Sequence, residues 1–272
     1  MTKWNIGVCS WSLQAGVDEV AEAMKDIGID HVHLAVGPAI GQDGVKYLEA
    51  VKKQDWTVSS TMIGFDQEDY TTLDTIKVSG GVVPDDCWEK NKAAFEAAAK
   101  ITKDLGVKYL STHAGFIDHT DAEKYKVMCG RIKCLADISA ENGLMLLMET
   151  GQETAEDLAG FMNEIAHPAV GINFDPANMI LYDKGNPIEA VKILAAWIRH
   201  VHIKDAIKTE IPGQWGAEVP WGEGQVGSDN FLKALESIGY QGTIAIEREA
   251  GNQRKTDIAL AAERLRKVSE IF

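Results

Sequence analysis

Four successive apolar runs in the second half of the chain carry, at their ends, side chains able to hold a metal ion. Glu149 follows the apolar LLM of LLMET, Asp175 follows GINF in GINFDPAN, His202 lies in HVHIKD and Glu247 follows the apolar part of IAIERE. A glutamate at the end of a strand-like run is costly to bury unless an opposite charge meets it. Any one of these groups, alone, reads as a helix N-cap or a satisfied loop carboxylate. Together, three carboxylates and one imidazole make a mixed oxygen and nitrogen donor set suited to a borderline-hard divalent ion, with room for exchangeable positions in an octahedral shell. No cysteine accompanies them in the sequence, which separates the set from a structural zinc site. The expected cofactor is one divalent ion, Mn2+ first, with Mg2+, Co2+ and Zn2+ as alternatives.

Strand alternation points His200 and His202 the same way, so periodicity does not choose between them. His202 lies nearer the C-terminal end of its run and is taken as the ligand; His200, deeper, is expected to be a satisfied core histidine. Lys204 shares their face. It either neutralises a negative intermediate or pairs with Asp205 or a ligand carboxylate.

Positioning these groups requires their runs to end side by side. Strand candidates recur at 4–9, 31–35, 57–63, 108–113, 144–149, 170–175, 200–205 and 243–247. Helical patterns follow each, at 17–27, 44–54, 88–105, 121–142, 154–165, 187–198, 228–238 and 256–271. Several end on the glycine that a left-handed C-cap favours, as in DIGID, DLGVKY, ENGLM and SIGYQG. Strict alternation of strand and helix implies parallel strands with helical crossovers, and eight units match a closed (β/α)8 TIM barrel. A doubly wound sheet would call for a G-x-G-x-x-G turn after its first strand, and CSWSLQAGVDE has none. No Pro- or Ser-rich linker divides the chain, so residues 1–272 are read as one α/β barrel domain. Long segments at 64–87 and 206–227 follow the third and seventh strands, on the face where barrel active sites are built.

Composition narrows the partners. Forty-one acidic against 27 basic residues give a formal charge of -14, which repels phosphate backbones and anionic membranes. Neither a signal peptide nor a membrane span is read from the sequence, and the four cysteines lack C-x-x-C spacing, so a cytoplasmic, reduced protein is expected.

At METGQE, GINFDPANMILY, HVHIKD, VPWGEGQVG and GYQGTIAIERE the chain resembles the xylose-isomerase-like barrels of sugar isomerases and epimerases. That group takes in tagatose 3-epimerase, hydroxypyruvate isomerase, inosose dehydratase and, more distantly, endonuclease IV. The resemblance runs over essentially the whole chain. It implies one divalent ion, commonly manganese, on Glu149, Asp175, His202 and Glu247, with Glu149 and Glu247 also serving as acid and base on opposite faces of a bound ketose. It implies a homo-oligomer, a dimer or tetramer. Two departures stand out: Asn178 occupies the place of the histidine in the Asp-x-x-His that many members carry, and Ala155 replaces a substrate-binding glutamate, with Glu153 nearby. The segment KDAIKTEIPGQWGAEVPWGEG lacks the histidines that the endonuclease branch needs, which argues against DNA as substrate.

The chemistry implied is proton transfer at the carbon beside a ketose carbonyl, through a metal-stabilised enediolate. Return of the proton from the opposite face gives epimerisation, return to the neighbouring carbon gives isomerisation, and loss of a group β to the carbanion gives a dehydratase or lyase acting on a keto-inositol or 3-keto-glycoside. Substrate contacts are expected from His113, Asn178, Lys204, Trp11, Trp215 and Trp221, the tryptophans either stacking on a sugar or simply packing. Glu223, in WGEGQVG, reads as a hydrogen-bond acceptor in a tight turn. Gly251, Arg248 and Arg254 give only a weak phosphate cradle, so an unphosphorylated sugar or cyclitol is expected. A non-catalytic sugar-binding barrel is the rival from another class, though it has no need of four filled ligand positions.

Overall fold

In a parallel sheet covered on both faces, strands read as continuous apolar runs rather than alternating ones. The run Val170–Phe174, buried at every position, is of this kind. The computed structural model describes residues 3–269, in which such runs close a barrel. Its strands are β1 (Asn5–Cys9), β2 (His31–Ala35), β3 (Thr57–Ile63), β4 (Tyr109–Thr112), β5 (Met145–Glu149), β6 (Val170–Phe174), β7 (Ile198–Ile203) and β10 (Thr243–Ile246). They pair in the closed order β1-β10-β7-β6-β5-β4-β3-β2, every neighbour parallel. This is the expected (β/α)8 TIM barrel.

The helices are α1 (Val17–Ile27), α2 (Gly37–Ile40), α3 (Gly44–Lys53), α4 (Leu73–Ser79), α5 (Trp88–Asp104), α6 (Ala122–Glu141), α7 (Ala155–Ile165), α8 (Pro176–Leu181), α9 (Pro187–Ile193), α10 (Ser228–Ser237) and α11 (Arg254–Ser269). The four glycines expected to end helices, Gly28, Gly106, Gly143 and Gly239, all have left-handed φ between 69° and 75°. Two predicted helices begin one residue late because their first residue is the cap. Asp121 Oδ1 accepts from the backbone N–H groups of Glu123 and Lys124, and Thr154 Oγ1 from that of Asp157. The helix predicted over 187–198 stops at Ile193, because Ile198 is already claimed by β7, where it pairs with Ile172. Residues 270 and 271 of the last predicted helix lie outside the described residues. No helix among the described residues is long and apolar enough to cross a membrane.

Both long segments contain structure that the apolar pattern did not show. Residues 64–87 hold α4, and residues 206–227 belong largely to an antiparallel hairpin of β8 (Asp205–Ile207) and β9 (Ala217–Val219). The hairpin starts immediately after β7, and Asp205 fastens its base. Its carboxylate, 1% exposed, accepts four backbone N–H groups: Ala206 and Val226 on Oδ1 at 2.9 and 3.0 Å, Gly222 and Gly224 on Oδ2 at 2.9 and 3.1 Å. Removing it orphans those donors in a dry site. Asp205→Ala should lower the unfolding free energy by about 3 kcal/mol in chemical denaturation. A loss below about 0.5 kcal/mol, within the range of an ordinary surface substitution, would contradict this role.

Candidate metal centre and its cavity

The barrel turns sequence order into proximity. Glu149 is the last residue of β5, Asp175 and Glu247 lie one beyond the last residues of β6 and β10, and His202 is the penultimate residue of β7. One donor atom from each lies within 4.8 Å of the others. His202 Nδ1 is 3.1 Å from Glu149 Oε1, 3.4 Å from Glu247 Oε2 and 3.5 Å from Asp175 Oδ2. Both His202 Nδ1 and Asp175 Oδ2 are buried without a hydrogen-bond partner. Buried polar groups are ordinarily satisfied, so two orphans facing each other inside a donor set fit a bound cation.

Each group is held from behind. Asp175 is also the N-cap of α8: its Oδ1 accepts from Asn178 N at 2.9 Å, which leaves Oδ2 turned to His202. The N-cap reading and the ligand reading thus apply to the two oxygens of one side chain. His202 Nε2 lies 2.9 Å from His33 Nδ1 and 3.0 Å from the Asn173 amide; Asn173 also meets His200 Nδ1 at 2.9 Å, and His200 Nε2 reaches Ser59 Oγ at 3.0 Å. His200 is therefore a satisfied core histidine. Contacts of this kind fix the orientation of a ligating imidazole. Glu247 Oε1 accepts from Trp11 Nε1 at 2.7 Å, and its Oε2 accepts from Lys204 Nζ at 2.8 Å. Lys204 also donates to Glu249 Oε2 at 2.7 Å and lies 3.9 Å from Asp175 Oδ2. Of the pairings expected for Lys204, the ligand carboxylate is the one observed; Asp205 is committed to the hairpin.

The charge balance follows from this crowding. Burial opposes charge on His202, but the carboxylates of Glu247 and Asp175 beside it hold its pKa well above the usual histidine value. Burial raises Asp175 to about 6, against the pull of Lys204. Burial would also raise Glu247, yet Lys204 and His202 keep it well below the usual carboxylate range. One expectation needs correcting: a cysteine does lie close. Cys9, at the end of β1, brings its thiol within 4.8 Å of ring nitrogens of His33 and His202. Burial pushes that thiol up to about 12, so it stays protonated and is a poor ligand as it stands.

The centre opens into a cavity of about 740 Å³. Among the expected substrate contacts, Trp11, His113, Asn178, Lys204 and Trp215 line it. Trp221 does not: it is 4% exposed and packs edge-on against Phe231 in the core. Asn178 donates to Glu149 Oε1 at 3.3 Å and accepts from Lys204 at 3.5 Å, linking the two sides of the centre. His113 stands 3.7 Å from Glu68 and against the Gln152 amide. Burial opposes its protonation, but Glu68 outweighs this and its pKa is raised. Glu153 turns instead to Ile117 N at 2.9 Å, and burial raises its carboxyl to about 7. Glu223 pairs with Arg264, as an architectural acceptor. Arg248 is consumed by Glu218 and Asp257 at 2.7 and 2.9 Å, and Arg254 bonds Gly251 O, so the weak phosphate cradle is closed.

Sequence reading missed Glu68, Tyr70, Tyr182, Glu218, Glu249 and His33. Glu249 could have been found, since it lies two residues beyond Glu247 in ERE, and His33 by the alternation of HVHLA. Glu68 and Tyr70 come from a long connecting segment and Glu218 from the three-residue β9, neither of which carries a periodic signal.

The chain belongs to the xylose isomerase-like TIM barrel family, whose model matches residues 13–268. A crystal structure of a xylose isomerase domain protein from Planctomyces limnophilus is 30% identical, with a TM-score of 0.88 over 98% of this chain and 97% of that one. A D-tagatose 3-epimerase-like protein shares the fold at a TM-score of 0.75 and 20% identity, over 100% and 98% of the two chains. An inosose dehydratase of Clostridium botulinum (strain Alaska E43 / Type E3) is 26% identical over 148 residues, 48% of this chain and 49% of that protein. The chain thus spans about half the length of the curated relatives it matches.

Close approach at the cavity wall depends on Gly151. Its φ is +151°, and a Cβ there would lie 2.6 Å from Asn178 Cβ and 3.2 Å from the Tyr182 ring. Gly151→Ala should cost about 1–3 kcal/mol in thermal or chemical unfolding and displace Asn178 from Glu149. An unchanged unfolding free energy would show that the wall has slack.

Proposed function

We propose that this chain, as a single barrel domain, is a divalent-metal-dependent enzyme of keto-sugars that moves a proton at the carbon beside a carbonyl. Epimerase or isomerase is the first reading. The observation that carries it is the convergence of Glu149, Asp175, His202 and Glu247, two of their buried atoms orphaned, at the polar end of a cavity large enough for a sugar. Those four residues would hold the ion, which supplies Lewis-acid polarisation of the carbonyl and charge for the oxygen that becomes negative.

The remaining work falls to the chain's own groups. Glu149 Oε1 is turned to His202 and Asn178, so the carboxylate stands at the cavity wall as the proton acceptor. Glu247, fixed by Trp11 and Lys204, is the second, ionised carboxylate; in an inversion it passes to carbon a proton first taken up from solvent in the cavity, while Glu149 gives the abstracted proton back to solvent. The Lys204 ammonium adds a fixed positive charge beside developing negative charge. The hairpin carrying Trp215 covers part of the cavity and limits water there. An acid-rich wall containing Glu68, Glu218 and Glu249 supports a neutral sugar or cyclitol over a phosphorylated one.

A dehydratase or lyase on the same site is the second reading. The inosose dehydratase relative supports it, as do Asn178 and Ala155 in place of residues that epimerases use. Product analysis separates the two, because loss of water or of an aglycone belongs only to the second.

Metal binding has a definite proton linkage. His202 titrates above its ordinary value without metal, so at neutral pH its proton must leave before Nδ1 can ligate. Calorimetric titration with Mn2+ in buffers of different ionisation enthalpy should show about one proton released at pH 7. Affinity should fall as pH falls, more steeply below about 6, where Asp175 also protonates. Asp175→Asn should weaken binding at least about tenfold; unchanged affinity would remove Asp175 from the ligand set. For the chemistry, Mn2+-loaded protein in D2O is offered ketohexoses, ketopentoses, inososes and 3-keto-glucosides, with exchange read by NMR. Deuterium should enter beside the carbonyl, and chelation, Glu149→Gln and Glu247→Gln should each abolish it. Ligand binding retained in both variants without exchange by the parent would favour the non-catalytic barrel.

A further inference from the structure

Lys204 stands among more acceptors than it can serve. An ammonium offers three donors, and those of Lys204 reach Glu247 Oε2 at 2.8 Å, Glu249 Oε2 at 2.7 Å and, more loosely, Asn178 Oδ1 at 3.5 Å. Asp175 Oδ2, 3.9 Å from the ammonium, is buried without a hydrogen-bond partner. It is the oxygen turned to His202 in the four-residue centre. A bare carboxylate oxygen in a dry site attracts the nearest ammonium strongly, so Lys204 stays off it only while other acceptors hold its donors.

Glu249 is the acceptor placed to do this. The hairpin fixes its backbone: Glu218 Oε1 of β9 accepts from Glu249 N at 2.9 Å, from Ala250 N at 3.3 Å and from Arg248 Nη1 at 2.7 Å. The carboxylate then lies at the cavity wall, 51% exposed, facing an ammonium that is 5% exposed. An ion pair with one partner half in solvent adds little to stability. What it does is decide where the buried charge sits.

We propose that Glu249 is a positioning residue for the candidate metal centre: by engaging Lys204 it keeps the ammonium from pairing with Asp175 Oδ2, and so leaves that oxygen free for a divalent ion. This rests on the four-residue reading above and deepens it, because the affinity of the centre then depends on a side chain outside its donor set.

The test is a double-mutant cycle read by calorimetric titration with Mn2+. Glu249→Ala should weaken binding about tenfold, in the range of groups that support metal ligands, and should leave the midpoint of chemical denaturation unchanged. In a Lys204→Met background the same change should alter affinity by less than about twofold, since no ammonium remains to move. Glu249→Asp, which keeps the charge, should restore most of the parent's affinity. A crystal structure of metal-free Glu249→Ala should show Lys204 Nζ within hydrogen-bonding distance of Asp175 Oδ2, a readout that needs only the one variant. Equal weakening with and without Lys204 would make Glu249 a source of general negative charge and overturn the proposal. Undiminished affinity in Glu249→Ala, or an ammonium that stays in place there, overturns it too. Absence of Mn2+ binding by the parent removes the four-residue reading and this one with it; with the parent binding, the other outcomes bear on Glu249 alone.

Discussion

Three carboxylates drawn together at the buried end of a barrel repel one another and lose their hydration, and positive charge must be supplied for the arrangement to persist. In this protein Glu149, Asp175 and Glu247 surround His202, with Lys204 against the last two. His202 is held protonated by its neighbours, and its imidazolium stands where a divalent ion would bring a larger charge. The same crowding therefore makes the centre tolerable without a cation and receptive to one. Lys204 adds a second positive charge, shared between Glu247 Oε2 and Glu249 Oε2, and the surrounding carboxylates hold it protonated.

The rest of the barrel serves this constraint layer by layer. Below the centre, Asn173, His200, His33 and Ser59 form a hydrogen-bonded polar stratum that fixes the His202 ring. Around it, α8 starts on Asp175, so the turn that caps the helix also aims the second carboxylate oxygen. Above it, Asp205 ties the glycine-rich turn back to the end of β7 and so holds the hairpin that carries Trp215. Lys204 and Asp205 are neighbours in sequence with divergent tasks. Alternation along the chain turns one toward the centre and the other into the hairpin's base.

How much of this could be read in advance depended on whether a residue's position followed from a local period. Glu149, Asp175, His202 and Glu247 stand at the ends of apolar runs, and a closed parallel barrel gathers those ends at one rim. The helix-ending glycines were legible for the same local reason. The fate of three tryptophans was not. Trp11 bonds Glu247, Trp215 faces the cavity and Trp221 enters the core, although 215 and 221 lie six residues apart in one loop. Between Trp215 and Trp221 lies β9, paired with β8, and a three-residue strand leaves too short a pattern to detect. The hairpin and α4 escaped the sequence reading because short elements in long loops are selected by tertiary contacts rather than by their own periodicity.

That division bears on function. On the proposed reading, the groups legible from the sequence supply a chemistry common to several outcomes, since removing a proton beside a carbonyl precedes epimerisation, isomerisation and elimination alike. What separates the outcomes is where the substrate's other atoms are held, and this is decided by side chains from loops. Asn178 reaches Glu149 and Lys204 where a histidine would bring a titratable ring, so this position holds a group in place and cannot itself carry a proton. His113 with Glu68 sets a titratable pair on another wall of the same cavity. On the proposed chemistry, the barrel's rim defines the bond to carbon that is broken first, and the loops above it define what that carbon becomes.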